Sequence, residues 1–201
     1  MHRHALRPAA TDDLEACQTI VRGLPDYFTD DVPDKLSKDL DAHNSWVITK
    51  DDGVVGFAVV EYRSARAAEI LWIGVQDDQR KQGIGATLLK HVLGALAAEN
   101  IALIEAKTLD ASADYEPYIA TRAFWEHHGF VHVDTIDPLP GWEPGNPAAI
   151  YVCALTSTRR TGPGPLSLRA TRRSRRGARR ALVRRTSPAL RGATGVHRLA
   201  T

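Results

Sequence analysis

The stretch from Ala68 to Ala86 restricts what this chain can fold into more than any other. An apolar run, Ala68-Glu69-Ile70-Leu71-Trp72-Ile73-Gly74-Val75, leads into a polar loop, Gln76-Asp77-Asp78-Gln79-Arg80-Lys81-Gln82, and then into Gly83-Ile84-Gly85-Ala86. After the glycines, Leu88, Leu89, Val92, Leu93 and Leu96 recur at helical spacing, which predicts a helix from about Gly85 to Glu99 with Asn100 as its C-cap. A strand, a glycine loop and a helix in this order bring backbone N–H groups and the positive end of a helix dipole to one point. That is anion-binding geometry. Glycine lets the backbone approach an anion with no Cβ in the way, and Arg80 and Lys81 add charge at the same mouth. The plainer alternative is a loop that only joins strand to helix.

The remaining elements follow from periodicity and turn chemistry. A short strand at Ala5 to Arg7 precedes Thr11-Asp12-Asp13, an N-cap and acidic first turn for a helix with Leu14, Cys17, Ile20 and Val21 on one face, ended by Gly23 and Pro25. A second helix is expected from about Pro33 to Ala42. Ser45 to Lys50 and Val54 to Tyr62 flank Asp51-Asp52-Gly53, a hairpin signal because Asp and Gly tolerate positive φ. Beyond the glycine helix come a strand at Ile101 to Leu109, a loop carrying Tyr115, Pro117 and Tyr118, and a short helix at about Ala120 to His128 ended by Gly129. Strands at about Phe130 to Ile136 and Ala148 to Leu155 close the order, separated by a Pro/Gly/Trp loop. Hairpins at both ends and one strand-helix-strand crossover in the middle mean a mixed α/β (α+β) domain, not a regular βαβ alternation.

Two common phosphate motifs fail here. A Walker A loop needs Gly-Lys-Ser/Thr, but Gly85 is followed by Ala86-Thr87. A dinucleotide fingerprint needs a third small residue where Leu88 stands. Arg80-Lys81-Gln82-Gly83-Ile84-Gly85 instead resembles the acetyl-CoA signature of the GNAT superfamily of N-acetyltransferases, Arg/Gln-x-x-Gly-x-Gly/Ala. Ala123-Phe124-Trp125-Glu126-His127-His128-Gly129-Phe130 is similar to the Ala-x-x-Phe-Tyr-x-x-x-Gly-Phe corner of that family, with its Ala slightly shifted. The resemblance covers roughly residues 3 to 155. It implies a mixed, mostly antiparallel, twisted sheet of about six to seven strands with about four helices, splayed at a central parallel pair.

It also implies roles for residues. Backbone groups of Ile73, Gly74 and Val75 would pair with the pantetheine arm, Gly74 serving as a bulge or close-approach position. N–H groups from Arg80, Lys81, Gln82, Gly83, Ile84, Gly85 and Ala86 would hold the pyrophosphate, with Phe124 and Trp125 shaping the thioester pocket. Direct transfer to an amine needs a base and a proton for the departing thiolate. Glu69 matches the catalytic glutamate of histone-acetylating members in its neighbours and its distance from the glycines; the alternative is a strand carboxylate paired with a neighbour such as Arg66. Trp125 departs from the family, which commonly has Tyr there, and an indole cannot usefully give up its proton. Tyr118 and then Tyr115 are the phenols that would substitute, core or loop packing being the other reading of each. The family's Asn near the start of this helix is also missing, Tyr118 occupying that region. Acetyl-CoA is the implied cosubstrate, with no metal, and an amine the implied acceptor. The other functional class left open is an acyl-CoA-binding module of low activity, tethered by the C-terminal tail to nucleic acid or another anionic partner.

Charge divides the chain sharply. All 24 acidic residues lie before residue 158, whereas 158–201 holds thirteen arginines, no lysine and no acid. The expected division is an acetyltransferase domain over 1–157 and an Arg-rich tail over 158–201, too poor in large apolar residues to repay ordering and so expected to be disordered. The acidic body favours encounter with cationic amines. The tail has three readings: an appendage without a role, a segment folding back on the body, or weak phosphate contacts with nucleic acid. Cys17 and Cys153 carry no metal or CxxC spacing and read as reduced thiols. Met1 to Pro8 has no apolar run, and no stretch approaches the ~18 apolar residues of a membrane span. A cytoplasmic monomer or homodimer without membrane contact is the expectation.

Overall fold

A computed structural model describes residues 4–155 of the chain; the arginine tail, and the expectation of disorder made for it, lie outside the described residues. The elements run β1 (His4–Pro8), α1 (Leu14–Arg22), α2 (Val32–Ala42), β2 (Asn44–Lys50), β3 (Gly53–Ser64), β4 (Ala67–Val75), α3 (Ile84–Ala98), β5 (Leu103–Leu109), α4 (Pro117–His127), β6 (Val131–Ile136) and β7 (Ala148–Ala154). Seven strands form one sheet in the order β1-β2-β3-β4-β5-β7-β6. Every neighbouring pair is antiparallel except β4 and β5. These lie parallel because α3 crosses over between them, as a parallel connection requires.

Two cores lie on the two faces of the sheet. One contains Ala68, Ile70, Ile73 and Val75 of β4 with Leu88, Leu89, Val92 and Leu96 of α3 and Trp125 of α4. The other contains Leu71 and Trp72 of β4 with Cys17, Ile20 and Val21 of α1 and Leu36 of α2. Burial in this second core pushes the Cys17 thiol up to about 12, so it is an inert apolar filler. The entry to α1 is fixed from β1: Arg7 donates to both carboxylate oxygens of Asp13 at 2.6 and 2.8 Å, and Asp13 also accepts the Ala10 N–H at 2.8 Å.

Two expectations need correction, and a third, bulge or close approach at Gly74, narrows to close approach. The β2–β3 turn has positive φ at Asp51 (48°) and Asp52 (69°), while Gly53 is already the first residue of β3. The left-handed pair is therefore Asp-Asp, the conformation of a two-residue type I′ loop. Tyr118 is not in a loop, because α4 starts at Pro117, whose fixed φ suits the first helical turn. The bulge in β4 is not at Gly74. Val59 pairs with Trp72 and Val60 with Ile70, so the extra residue is Leu71. Gly74 is a close-approach position instead: a Cβ there would stand 2.9 Å from a Phe57 ring carbon.

The bulge shapes the whole sheet. Before it, Ala68 and Ile70 face α3; after it, Ile73 and Val75 do, so the side-chain alternation flips at Leu71. A bulge also bends and twists its strand. The parallel ladder joins Ala67–Ile70 to Leu103–Ala106 in four residue pairs and ends there. β4 continues to Val75 against β3, and β5 continues to Leu109 against β7, so the two strands part immediately beyond the bulge.

Candidate active site

The strand gap opens beside the N-terminus of α3. Gly83 is the N-cap of that helix at φ 81°, a left-handed conformation that favours glycine, and no side chain caps the helix. The first intrahelical bond runs from the Thr87 N–H to the Gly83 carbonyl at 3.0 Å. The N–H groups of Ile84, Gly85 and Ala86 thus have no acceptor within the helix. Gly85 and Ala86 line a cavity of about 240 Å³ with Val75, Arg80, Lys81, Gly83, Ala120, Phe124 and His128. A Cβ on Gly85 would lie 3.6 Å from both Phe124 and Val75, inside this cavity. Uncapped N–H groups, two cations and a floor of bare glycine suit a pyrophosphate. Gln82, by contrast, turns back and donates to the Asp78 carbonyl at 2.9 Å.

A second cleft of about 720 Å³ shares Arg80, Lys81 and Ala120 and extends to Asp26, Tyr27, Glu116, Pro117 and Ile119. Tyr27 organises it, and nothing in the sequence pattern singles this residue out. The Arg80 guanidinium lies 4.5 Å from the Tyr27 ring centroid and donates to its hydroxyl at 2.8 Å. The Tyr27 hydroxyl donates to the Pro117 carbonyl at 3.2 Å, and its own carbonyl accepts the Tyr118 hydroxyl at 2.9 Å. The segment between α1 and α2 is thereby tied to the start of α4 across the strand gap. Tyr118 is wholly buried, whereas Tyr115 is exposed and donates to Asp26 at 3.3 Å.

Glu69 lies at the closed end of the gap, on the face toward α1 and α2, and is wholly buried. Its Oε2 accepts from Arg63 Nε at 2.8 Å, from a second Arg63 nitrogen and from Lys107 Nζ at 2.6 Å. Lys107 also pairs with Glu105 at 2.6 Å and Arg63 with Glu61 at 2.8 Å. The neighbour is Arg63, with Lys107, rather than Arg66. The signal for Lys107 was present as Glu105-x-Lys107, two charges on one face of a strand that runs through the core. Ile73, Gly74 and Val75 line the β4 side of the gap and are buried. Trp125 packs edge-on against Phe130 at 4.8 Å between centroids, and Phe124 stacks on His128 at 4.4 Å. The His128 ring is held through Nδ1, 2.7 Å from the Phe124 carbonyl oxygen. Among the described residues no group of three or more His, Cys, Asp or Glu is placed to hold a metal, and no helix is long and apolar enough to cross a membrane.

Comparison with known proteins agrees with this geometry. Residues 41–132 match the model of the acetyltransferase (GNAT) domain. No curated protein matches the chain. Among solved structures, the ribosomal-protein-S18-alanine N-acetyltransferase of Escherichia coli is similar at 18% identity and TM-score 0.65, covering 81% of this chain and 100% of that one. A GNAT family acetyltransferase from Elizabethkingia anophelis with acetyl-CoA bound is similar at 18% identity and TM-score 0.57, covering 76% and 98%. A GNAT-like decarboxylase in complex with isobutyryl-CoA shares the fold at 18% identity and TM-score 0.61, covering 76% and 100%. At these identities the likeness is one of fold, and the fold carries more than one chemistry. The split parallel pair and the uncapped helix thus belong to a GNAT-like fold, and the segment over residues 41–132 matches the acetyltransferase (GNAT) domain.

Proposed function

We propose that the chain transfers the acetyl group of acetyl-CoA directly to the nitrogen of a primary amine. The observation that supports this best is the end of the β4–β5 ladder at Ile70 and Ala106, beside the uncapped start of α3. The backbone of Ile73 to Val75 is left open on one edge for an arm that pairs like an added strand. Ile84, Gly85 and Ala86 present N–H groups for the phosphates at one end of that edge. The acceptor side is acidic: Asp26 and Glu116 line the larger cleft, which suits a cationic amine, whether a small molecule or a protein amine.

The amine must lose a proton to attack. Glu69 is the proposed base, acting through Oε1, which has no hydrogen-bond partner among the described residues, and through water, because the side chain is wholly buried. Tyr118 and Tyr115 are the proposed proton donors to the departing sulfur. Tyr118 must release the Tyr27 carbonyl to serve, so acceptor entry and proton delivery would be linked through the α1–α2 segment.

The test is thiol release from acetyl-CoA across a panel of amines, with calorimetry of acetyl-CoA binding alongside. Binding with amine-dependent thiol release is the expected result. Binding without release for any amine would make the chain an acyl-CoA-binding module, and a folded protein that binds no acetyl-CoA would overturn the reading entirely.

A further inference from the structure

Among the described residues five buried side-chain polar atoms have no hydrogen-bond partner: Glu69 Oε1, Thr108 Oγ1, Thr121 Oγ1, Trp125 Nε1 and Trp142 Nε1. Each unmet buried group costs about 1–3 kcal/mol, and in a folded protein such a group calls for an explanation in ligand, water or function. Three of the five, Thr108, Thr121 and Trp125, lie on β5 and α4. Tyr118, Thr121 and Trp125 are spaced i, i+3 and i+7 on α4, share its inner face and are all wholly buried. Tyr118 belongs to the core under α1 and α2, and Trp125 to the core under α3. The helix therefore crosses from one core to the other, and Thr121 stands at the seam.

On β5, Thr108 lies two residues past the last rung to β4, on the same face as Ala106 by strand alternation. Arg122 Nη1 donates to the Leu109 carbonyl at 3.0 Å, which pins α4 to β5 through the residues next to Thr121 and Thr108. Two hydroxyls and an indole N–H without partners among the described residues thus lie on α4 and on the part of β5 beyond the parallel ladder.

We propose that Thr121, with Thr108 and Trp125, hydrogen-bonds the sulfur of CoA as the thioester breaks. The inference rests on the acetyltransferase reading above. As the amine nitrogen bonds to the acetyl carbon, the C–S bond breaks and its electron pair leaves on sulfur, while the amine proton passes to Glu69 or water. A thiol ionises near pH ~8.5, so the sulfur can depart as a thiolate and take its proton afterwards, from the tyrosines proposed above or from solvent. A threonine hydroxyl and an indole do not surrender their protons at this pH, but both donate hydrogen bonds, and bonds to an anion are roughly twice as strong as neutral ones.

The experiment reads the ionisation of CoA on the full-length protein. Bound CoA is titrated with pH by the ultraviolet absorbance of its thiolate, against protein loaded with S-methyl CoA as blank. Hydrogen bonds to the charged form lower a pKa, so the bound thiol should ionise about one pH unit below free CoA, a roughly tenfold shift. Thr121→Val should return the midpoint toward that of free CoA, Thr121→Ser should keep it low, and acetyl-CoA affinity should change little. The melting temperature of Thr121→Val should equal or exceed that of the wild type, since an unmet hydroxyl has been removed. Bound CoA that titrates like free CoA, or a Thr121→Val protein that titrates like the wild type, overturns the inference and leaves the acetyltransferase reading standing. Protein that binds no CoA at any pH removes that reading and this inference with it.

Discussion

Gly85 and Gly83 sit two residues apart and serve different ends. Gly85 leaves room: the space for its Cβ is bounded by Phe124 and Val75, each at 3.6 Å, so a larger side chain would occupy the phosphate cavity without striking backbone. Gly85→Val should fold and lose acetyl-CoA binding, measured by calorimetry; wild-type affinity in the folded variant would remove this cavity from the cofactor site. Gly83 supplies conformation, since nothing lies near its Cβ but its φ is 81°. A valine there would also carry about 1–2 kcal/mol of left-handed strain, so it is the less clean probe. Glu69 has two duties as well. Glu69→Gln should slow turnover about 10²-fold or more if the carboxylate assists as base, with acetyl-CoA affinity nearly unchanged. It should also lower the melting temperature, because Lys107 and Arg63 would lose the anion between them. An unchanged rate with a lowered melting temperature would assign Glu69 to structure alone.

At the scale of elements, β1 and α1 are held by one ion pair. The Arg7 hydrogen bond holds the Asp13 carboxyl below its usual range, against the opposing effect of burial. A carboxyl with a depressed folded-state pKa contributes stability above its unfolded value and loses it as the pH falls through the folded one. Asp13→Asn should therefore melt lower at neutral pH, by the equivalent of about 1.5–3 kcal/mol, and the gap to the wild type should close below the ordinary carboxylate range. Melting curves across acid pH decide it. Most elements were legible because their signals are local: the helical stripe Leu88 to Leu96, the Asp51-Asp52-Gly53 turn, and the glycines before α3. The bulge was not. Leu71 is one residue in a mostly apolar run of eight, and only its pairing with β3 shows that it is the extra one. Tyr118 was misplaced because Tyr115, Pro117 and Tyr118 look like loop residues until the proline is recognised as a first-turn residue. Tyr27 and Thr121 gain their meaning from partners, or from the lack of them, far along the chain, and a linear pattern carries no such information.

For the whole molecule, the charge division gives a direct expectation. Every structural part described above lies before Ser157, so a chain cut after that residue should fold and bind acetyl-CoA as the full chain does. It should also lose any affinity for DNA, because the remaining domain has 24 acids and the thirteen tail arginines are gone. Melting and DNA binding at two salt concentrations compare the two forms; a truncated chain that does not fold would mean that the tail belongs to the packed domain. Within the domain, the sheet is two leaves stitched by four parallel residue pairs, and parallel pairing is the weaker kind. Such a seam is the natural fault line of the fold, where amide hydrogens on β4 and β5 should exchange with solvent sooner than those on β3 or β7. On the proposed function, a pantetheine arm laid into the gap would supply the rungs that the strands do not make with each other, so the cosubstrate would complete the sheet as well as react in it. A protein loaded in this way would be strongest with its gap filled, and its resistance to heat should rise with the concentration of acetyl-CoA around it.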